Sequence, residues 1–257
     1  MIEILTPVQL EQARPSGRFV AATLQALRER VQPGTNLLDI DAWTRDLIAS
    51  AGAESCYVEY APAFGRGPFG KVICTSVNDA VLHGLPHDYD LVSGDLLTLD
   101  FAVSLHGWVA DAAISFIVGG PGDPEDQRLI DTTTTTALAA GIDAARPGGH
   151  VGDIAAAVGS VLTGAGYLVN GEFGGHGVGR TMHQDPHIPN QGARGRGSRL
   201  RPGMLLAIEP WVMRGTHRLV RDPDGWTLRS ANGERTAHSE HTIAITPDGA
   251  EILTLAE

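Results

Sequence analysis

Cysteine is almost absent from this chain, with Cys56 and Cys74 its two examples. They lie eighteen positions apart and form no CxxC pair. That excludes a secreted disulfide framework and the ordinary thiolate zinc modules, and predicts a reduced, cytoplasmic compartment. Basic residues are also scarce: 19 Lys plus Arg stand against 30 Asp plus Glu, a net charge of −11. Such a surface repels a phosphate backbone or an anionic bilayer, so neither nucleic acid nor membrane is an expected partner. No apolar run approaches the roughly 20 residues of a membrane span, and the first residues lack the basic, apolar and small-residue succession of a leader. HExxH, GxSxG and the paired cysteines of zinc deaminases are missing as well, which removes three familiar kinds of hydrolytic site.

What is present is an ordinary globular chain of 257 residues, 42 % hydrophobic and 19 % charged. A chain of that length buries roughly 70 to 75 % of its unfolded surface and needs no cross-links. It also repeats itself. Pro33-Gly34, Asp39-Ile40 and Ala51-Gly52 recur 114 positions later as Pro147-Gly148, Asp153-Ile154 and Ala165-Gly166. Each copy opens with a long helical pattern, Leu10 to Val31 and Glu125 to Arg146, stopped by Pro-Gly. A second helix follows in each, Asp39 to Ser50 and Asp153 to Gly164. Asp123 reads as the cap before Pro124, although the threonines from 132 to 136 weaken that helix. Strand patterns come next, at Val72 to Thr75 and Leu96 to Val103, then at Met204 to Ile208 and His241 to Ile245. The expected fold is a single α/β domain spanning 1–257, with halves of about 1–121 and 122–257 and helices covering a curved sheet.

The chemistry concentrates on acidic residues at strand ends. Asp100 and Asp111 are eleven positions apart, so a hairpin turning at Leu105 to Gly107 sets them nearly opposite one another on one face. Glu209 ends an apolar strand and Glu240 opens another. Either aspartate could instead cap a turn. A pair of unit charges 4 Å apart repels by about 4 kcal/mol at an effective dielectric of 20, so a shielded cluster of such groups rivals the stability of a whole domain. Two divalent cations would balance it. His176, flanked by glycines in Phe173-Gly-Gly-His-Gly-Val-Gly, offers a neutral imidazole, although a lone histidine in a glycine loop also serves structure alone. The residues after it, Gln184-Asp185-Pro186, cannot begin a phosphate-binding helix.

These residues resemble the type I methionine aminopeptidases along the whole chain. The resemblance rests on Cys74-Thr-Ser-Val-Asn-Asp-Ala-Val-Leu-His83-Gly, on Asp100 with Asp111, on Gly175-His176-Gly177-Val-Gly with His183, on Ile208-Glu209-Pro210 and on Glu240-His241-Thr242. It implies a pita-bread fold, with two pseudo-symmetric halves whose helices pack on a curved antiparallel sheet around two divalent metal ions. Asp100 would bind the first ion, His176 and Glu209 the second, and Asp111 and Glu240 would bridge them. Oxygen-rich ligands suit cobalt, manganese or iron.

The implied activity is removal of an N-terminal methionine from peptides or nascent chains, by attack of a metal-bridging hydroxide on the first peptide bond. Glu209 would be the general base, His183 would face the developing oxyanion and His83 the departing nitrogen. Phe69, Cys74, Phe173, Met182 and Trp226 would receive the methionine side chain, and each could equally be core. Three departures stand out: Met182 stands where an aromatic residue usually precedes the second histidine, His238-Ser239 replaces the usual Gln-aromatic pair before Glu240, and Tyr60 to Gly70 replaces the usual pocket loop. They leave open a different N-terminal residue or a specialised peptide. Of the other histidines, His241 is expected near the site. Three rivals remain to be weighed: a prolidase-like enzyme, whose relatives carry an extra N-terminal domain; a binding module without metals; and a Ser or Cys hydrolase. The expected assembly is a monomer.

Overall fold

The computed structural model describes residues 2–255. Helix α1 (Pro7–Arg30) begins three residues before the expected start, because Thr6 accepts from the Gln9 backbone N–H while the Gln9 side chain reaches back to Thr6. Helix α2 (Leu37–Ala51) is capped by Asn36 and ends at Gly52, whose φ of +63° is the left-handed stop. Strands β1 (Glu54–Ser55), β2 (Cys74–Val77) and β3 (Ala80–Leu82) follow, then the hairpin of β4 (Leu96–Leu105) and β5 (Trp108–Ile117). His106 and Gly107 turn that hairpin, with φ of +53° and +74°.

The second half departs from expectation at its first helix. Instead of one helix over 125–146, the chain forms α3 (Pro124–Asp131), a π-helical stretch (Thr132–Leu138) and the short α4 (Ala139–Ala144). The threonines are the cause. Hydroxyls of Thr132, Thr133 and Thr135 donate to the carbonyls of Arg128, Ile130 and Asp131 and compete with the helical ladder. Helix α5 (Val151–Gly164) starts two residues early, since Asp153 reaches back to accept from the His150 N–H. The remaining strands are β6 (Gly174–Val178), β7 (Gln184–Pro189), β8 (Leu205–Ile208), β9 (Trp211–Met213), β10 (Leu219–Arg221), β11 (Leu228–Ser230), β12 (Thr236–His238), β13 (Glu240–Thr246) and β14 (Gly249–Ile252). His176 therefore sits on a strand and not in a loop. Glycine is needed there for space: a Cβ on Gly175 would collide with the Ala207 carbonyl, and one on Gly177 with that of Asp185.

The main sheet is antiparallel throughout and runs β1-β4-β5-β13-β8-β6-β7, with β2 also on β4 and β14 on β13. Its two halves meet where β5 pairs β13, Glu240 opposite Ala113 and His241 opposite Ala112. Each half buries its own core: Val20, Leu24, Leu27 and Ile40 pack against Leu97, Leu99 and Phe101 in the first, and Ile154, Val158 and Leu162 pack with Leu206, Ile208 and Ile243 in the second. This is the pita-bread arrangement of helices on a curled antiparallel sheet. A third apolar cluster, with Phe69, Cys74, Met182 and Trp226, lies beneath the functional pocket.

Candidate metal centre

Strand register decides which side chains meet. Asp100 pairs with Ala113, and Ala113 in turn with Glu240, so Asp100 and Glu240 share one face across three strands. Asp111 pairs with Ala102 rather than with Asp100. The two aspartates are thus diagonal neighbours on that face, not the near-opposed pair expected from the spacing, because the two-residue turn sits at His106-Gly107. His176 pairs with Ala207, which pairs with Thr242, two residues along from Glu240 and so on the same face. His241 falls on the opposite face, where its Nδ1 meets the Thr254 hydroxyl at 2.9 Å. The expectation that it borders the site is wrong, for the plain reason that strand residues alternate.

One pocket collects Asp100, Asp111, His176, Glu209 and Glu240, together with His83, His183, Phe69, Cys74, Met182 and Trp226. Phe173 is not in its wall; it packs edge-on to Phe64 and His83. Two residues lining the pocket were missed by the sequence reading, Tyr57 and Leu82, while Tyr60 belongs to the segment it set in place of the usual pocket loop. Tyr57 is the most consequential. Its hydroxyl donates to Asp100 Oδ1 at 2.6 Å and lies 3.5 Å from Asp111 Oδ1. Phe64 was missed too, and it stacks on His83 with centroids 5.3 Å apart. Tyr57 and Phe64 lie in the long loop between β1 and β2, which carries no periodic signal.

His176 Nδ1 contacts the Gly177 carbonyl at 3.0 Å, and a carbonyl only accepts, so the proton is on Nδ1 and the Nε2 lone pair faces the pocket. Nε2 is 3.9 Å from Asp111 Oδ2 and 3.7 Å from Glu209 Oε1. The Thr242 hydroxyl fixes Asp111 by bonding both its N–H and its carbonyl, and Asn190 donates to the Glu209 carbonyl. Backbone and second-row side chains thereby hold the acidic groups in place.

The electrostatics are unfavourable without a cation. Burial drives Asp100 up to about 6 and Glu209 up to about 8, and the Asp100 charge adds to the Glu209 rise. Asp111 and Glu240 are raised by burial first and then by their acidic neighbours. Arginine ion pairs elsewhere include those to Asp41, Asp79, Asp126, Asp222 and Glu251, and none reaches these four among the described residues. Glu240 Oε1 is buried without any hydrogen-bond partner. Ligand atoms of Asp111, His176 and Glu240 lie within 4.8 Å of one another. An acidic, oxygen-rich cluster with an orphaned carboxylate oxygen and a presented imidazole lone pair fits a divalent cation. Burial also depresses His83 and His183 to about 4, so both are neutral at physiological pH.

Comparison with known proteins agrees with this chemistry. Residues 11–247 match the model of metallopeptidase family M24. The methionine aminopeptidase of Aquifex aeolicus is 38 % identical over 256 residues, 98 % of each chain, and methionine aminopeptidase 1 of Mycobacterium tuberculosis is 39 % identical over 96 % of this chain and 92 % of its own. The crystal structure of the Thermotoga maritima methionine aminopeptidase superposes with a TM-score of 0.93 at 37 % identity, covering 99 % of this chain and 100 % of that one. A prolidase from Pyrococcus furiosus shares the fold at TM-score 0.78 and 21 % identity, with only 66 % of its length covered.

Proposed function

The chain belongs to metallopeptidase family M24, and on that premise we propose that its pocket hydrolyses the first peptide bond of peptides and nascent proteins that begin with methionine. The observation that carries this reading is the convergence of Asp100, Asp111, His176, Glu209 and Glu240 beside an apolar recess. Its support from similarity is the match to methionine aminopeptidases over nearly the whole of both chains. Residues 1–257 act as one catalytic domain built from the two repeated halves.

Asp100, Asp111, His176, Glu209 and Glu240 would hold two divalent ions, of cobalt, manganese or iron. Bound there, such ions supply Lewis-acid polarisation of the scissile carbonyl and acidify water near neutral pH. Glu209 takes up the proton of the attacking water and passes it to the departing amine. Its place in the pocket beside the other carboxylates suits that work, because a carboxylate next to the attacking water can accept its proton and return it. His183, kept neutral by burial, donates a hydrogen bond toward the oxyanion. His83 lies against the leaving nitrogen, its ring fixed by Phe64 on one side and by Trp226 edge-on.

Phe69, Cys74, Met182 and Trp226 form the apolar recess for the thioether side chain, a fit that favours a flexible, polarisable group over a charged one. Cys74 stands opposite Asp100 in the pairing of β2 with β4, so one residue joins recess and cation site. Recess and acidic cluster adjoin, which positions a terminal residue and excludes cleavage in mid-chain. Among the described residues no helix is long and apolar enough to cross a membrane. The acidic surface and the two free thiols fit a monomer working in the reducing cytoplasm.

A panel of short peptides varied at the first two positions tests the reading. Release of methionine that stops on chelation and returns with added divalent metal is expected. Turnover indifferent to chelator, or cleavage away from the N-terminus, would overturn it.

A further inference from the structure

Two positions before Glu240 stands a second imidazole that the five-ligand scheme does not use. His238 ends β12 and is 2 % exposed, and neither of its ring nitrogens has a hydrogen-bond partner. Buried polar nitrogens are rarely left so. The main chain explains why the ring stays in place: the His238 N–H donates to Ser115 Oγ at 3.1 Å, and that hydroxyl donates to the His238 carbonyl at 2.6 Å. No ring contact is spent on holding it.

The ring has a definite aim. Nε2 lies 3.8 Å from Glu209 Oε2 and 3.8 Å from Glu240 Oε2. Those separations are too long for hydrogen bonds. They match the spacing of atoms that share an ion, since donors about 2.1 Å from a metal stand roughly 3.0 to 4.2 Å from one another. His176 offers an internal standard, with Nε2 at 3.9 Å from Asp111 and 3.7 Å from Glu209. His238 therefore stands to Glu209 and Glu240 as His176 stands to Asp111 and Glu209.

Resting on the metal-dependent reading above, we propose that His238 Nε2 is a sixth protein ligand, on an ion it shares with Glu209 and Glu240, which makes this a two-imidazole centre. A ligating imidazole needs a ring nitrogen with its lone pair unspent, and both of His238's are without a partner. Imidazole raises preference for cobalt or iron over manganese, because nitrogen donors favour later metals of the series.

Cobalt(II) titration of the metal-stripped protein, followed by visible absorption and by paramagnetic proton NMR in water, tests the assignment. In the loaded wild-type protein two hyperfine-shifted, exchangeable imidazole protons are expected, from His176 and His238. His238→Gln should lose one of them, bind cobalt about tenfold more weakly and lose less affinity for manganese. His176→Gln should lose the other. Wild-type protein that binds cobalt but shows one such proton overturns the assignment, as does an unchanged cobalt titration in His238→Gln with an unchanged far-UV spectrum. Either result leaves the peptidase reading standing. Wild-type protein that takes up no cobalt, manganese or iron overturns both.

Discussion

The Tyr57 phenol donates a 2.6 Å hydrogen bond to Asp100, whose carboxyl sits at the edge of the acidic cluster. Burial raises the Asp100 pKa to about 6, and this bond works against that rise. Tyr57→Phe removes the donor and leaves the carboxylate harder to ionise. Loss of such a supporting partner lowers metal affinity by about 10- to 100-fold. Calorimetric titration with manganese or cobalt should show a loss of that size in Tyr57→Phe, with the fold unchanged by circular dichroism. Equal affinity in the two proteins would remove Tyr57 from the site.

Stability of the metal-stripped protein should fall as pH rises from 6.5 to 8. Glu209 moves from 4.5 to about 8 on folding, so the folded state holds its proton more tightly and its stabilising contribution is lost as pH climbs through that interval. Asp111 and Glu240 are raised too and act with the same sign. The buried histidines act oppositely: His83, His183 and His241 fall from 6.5 to about 4, and His176 and His238 to about 3, so they add stability with rising pH, but only below 6.5. Above that value the carboxylates act alone, with a slope of at most about 1.4 kcal/mol per pH unit for each proton released. Urea denaturation in chelator across this window measures it. A flat or rising profile contradicts the buried cluster, and added divalent metal should abolish the decline.

Gly177 neighbours His176 and cannot carry a side chain without striking the Asp185 carbonyl. Gly177→Ala must push β6 from β7 and swing His176 with it. Overpacking of this kind destabilises by about 1 to 3 kcal/mol, and thermal melting should drop by about 2 to 4 °C for each kcal/mol in a chain of this size. Metal affinity should fall as well. An unshifted melting curve would mean that the strands separate freely.

Phe64 stacks on His83, touches Phe173 and meets Trp226 edge-on. Phe64→Ala frees the His83 ring without touching any carboxylate. The expected result is a kcat for a methionyl peptide lowered by about tenfold, of the order of one lost orienting contact, with cobalt stoichiometry and affinity unchanged. A change in metal binding with kcat intact would assign Phe64 to the cation site instead.

Glu209→Gln keeps the volume and removes the proton acceptor. Hydrolysis should fall by at least about 10²-fold, the usual contribution of a positioned acid–base group. Unchanged turnover would defeat the base assignment.

The sequence by itself determined the duplication, the three long helices, four of the strands, and the identity of the acidic groups and of His176, because those signals are local: Pro-Gly stops, apolar runs and carboxylates at strand ends. Asp100, Asp111, Glu209 and Glu240 could be chosen from a charge argument alone, since buried like charges demand compensation wherever the chain places them. Only the tertiary structure decided how they meet. Strand register made Asp100 and Asp111 diagonal and turned His241 away from Glu240, and a difference of one residue in register moves a side chain to the other face. His238, on the separate β9–β12 ribbon, comes within 3.8 Å of Glu209 and Glu240 through packing that no local signal reveals. Tyr57 reaches the pocket, and Phe64 reaches His83, through a loop without periodicity, and Thr132, Thr133 and Thr135 turned a helix π-helical through hydroxyl contacts that propensity only hinted at. Residue types fix which chemistry is available, while long-range pairing fixes which atoms come within a few ångströms, and pairing depends on the whole sheet at once.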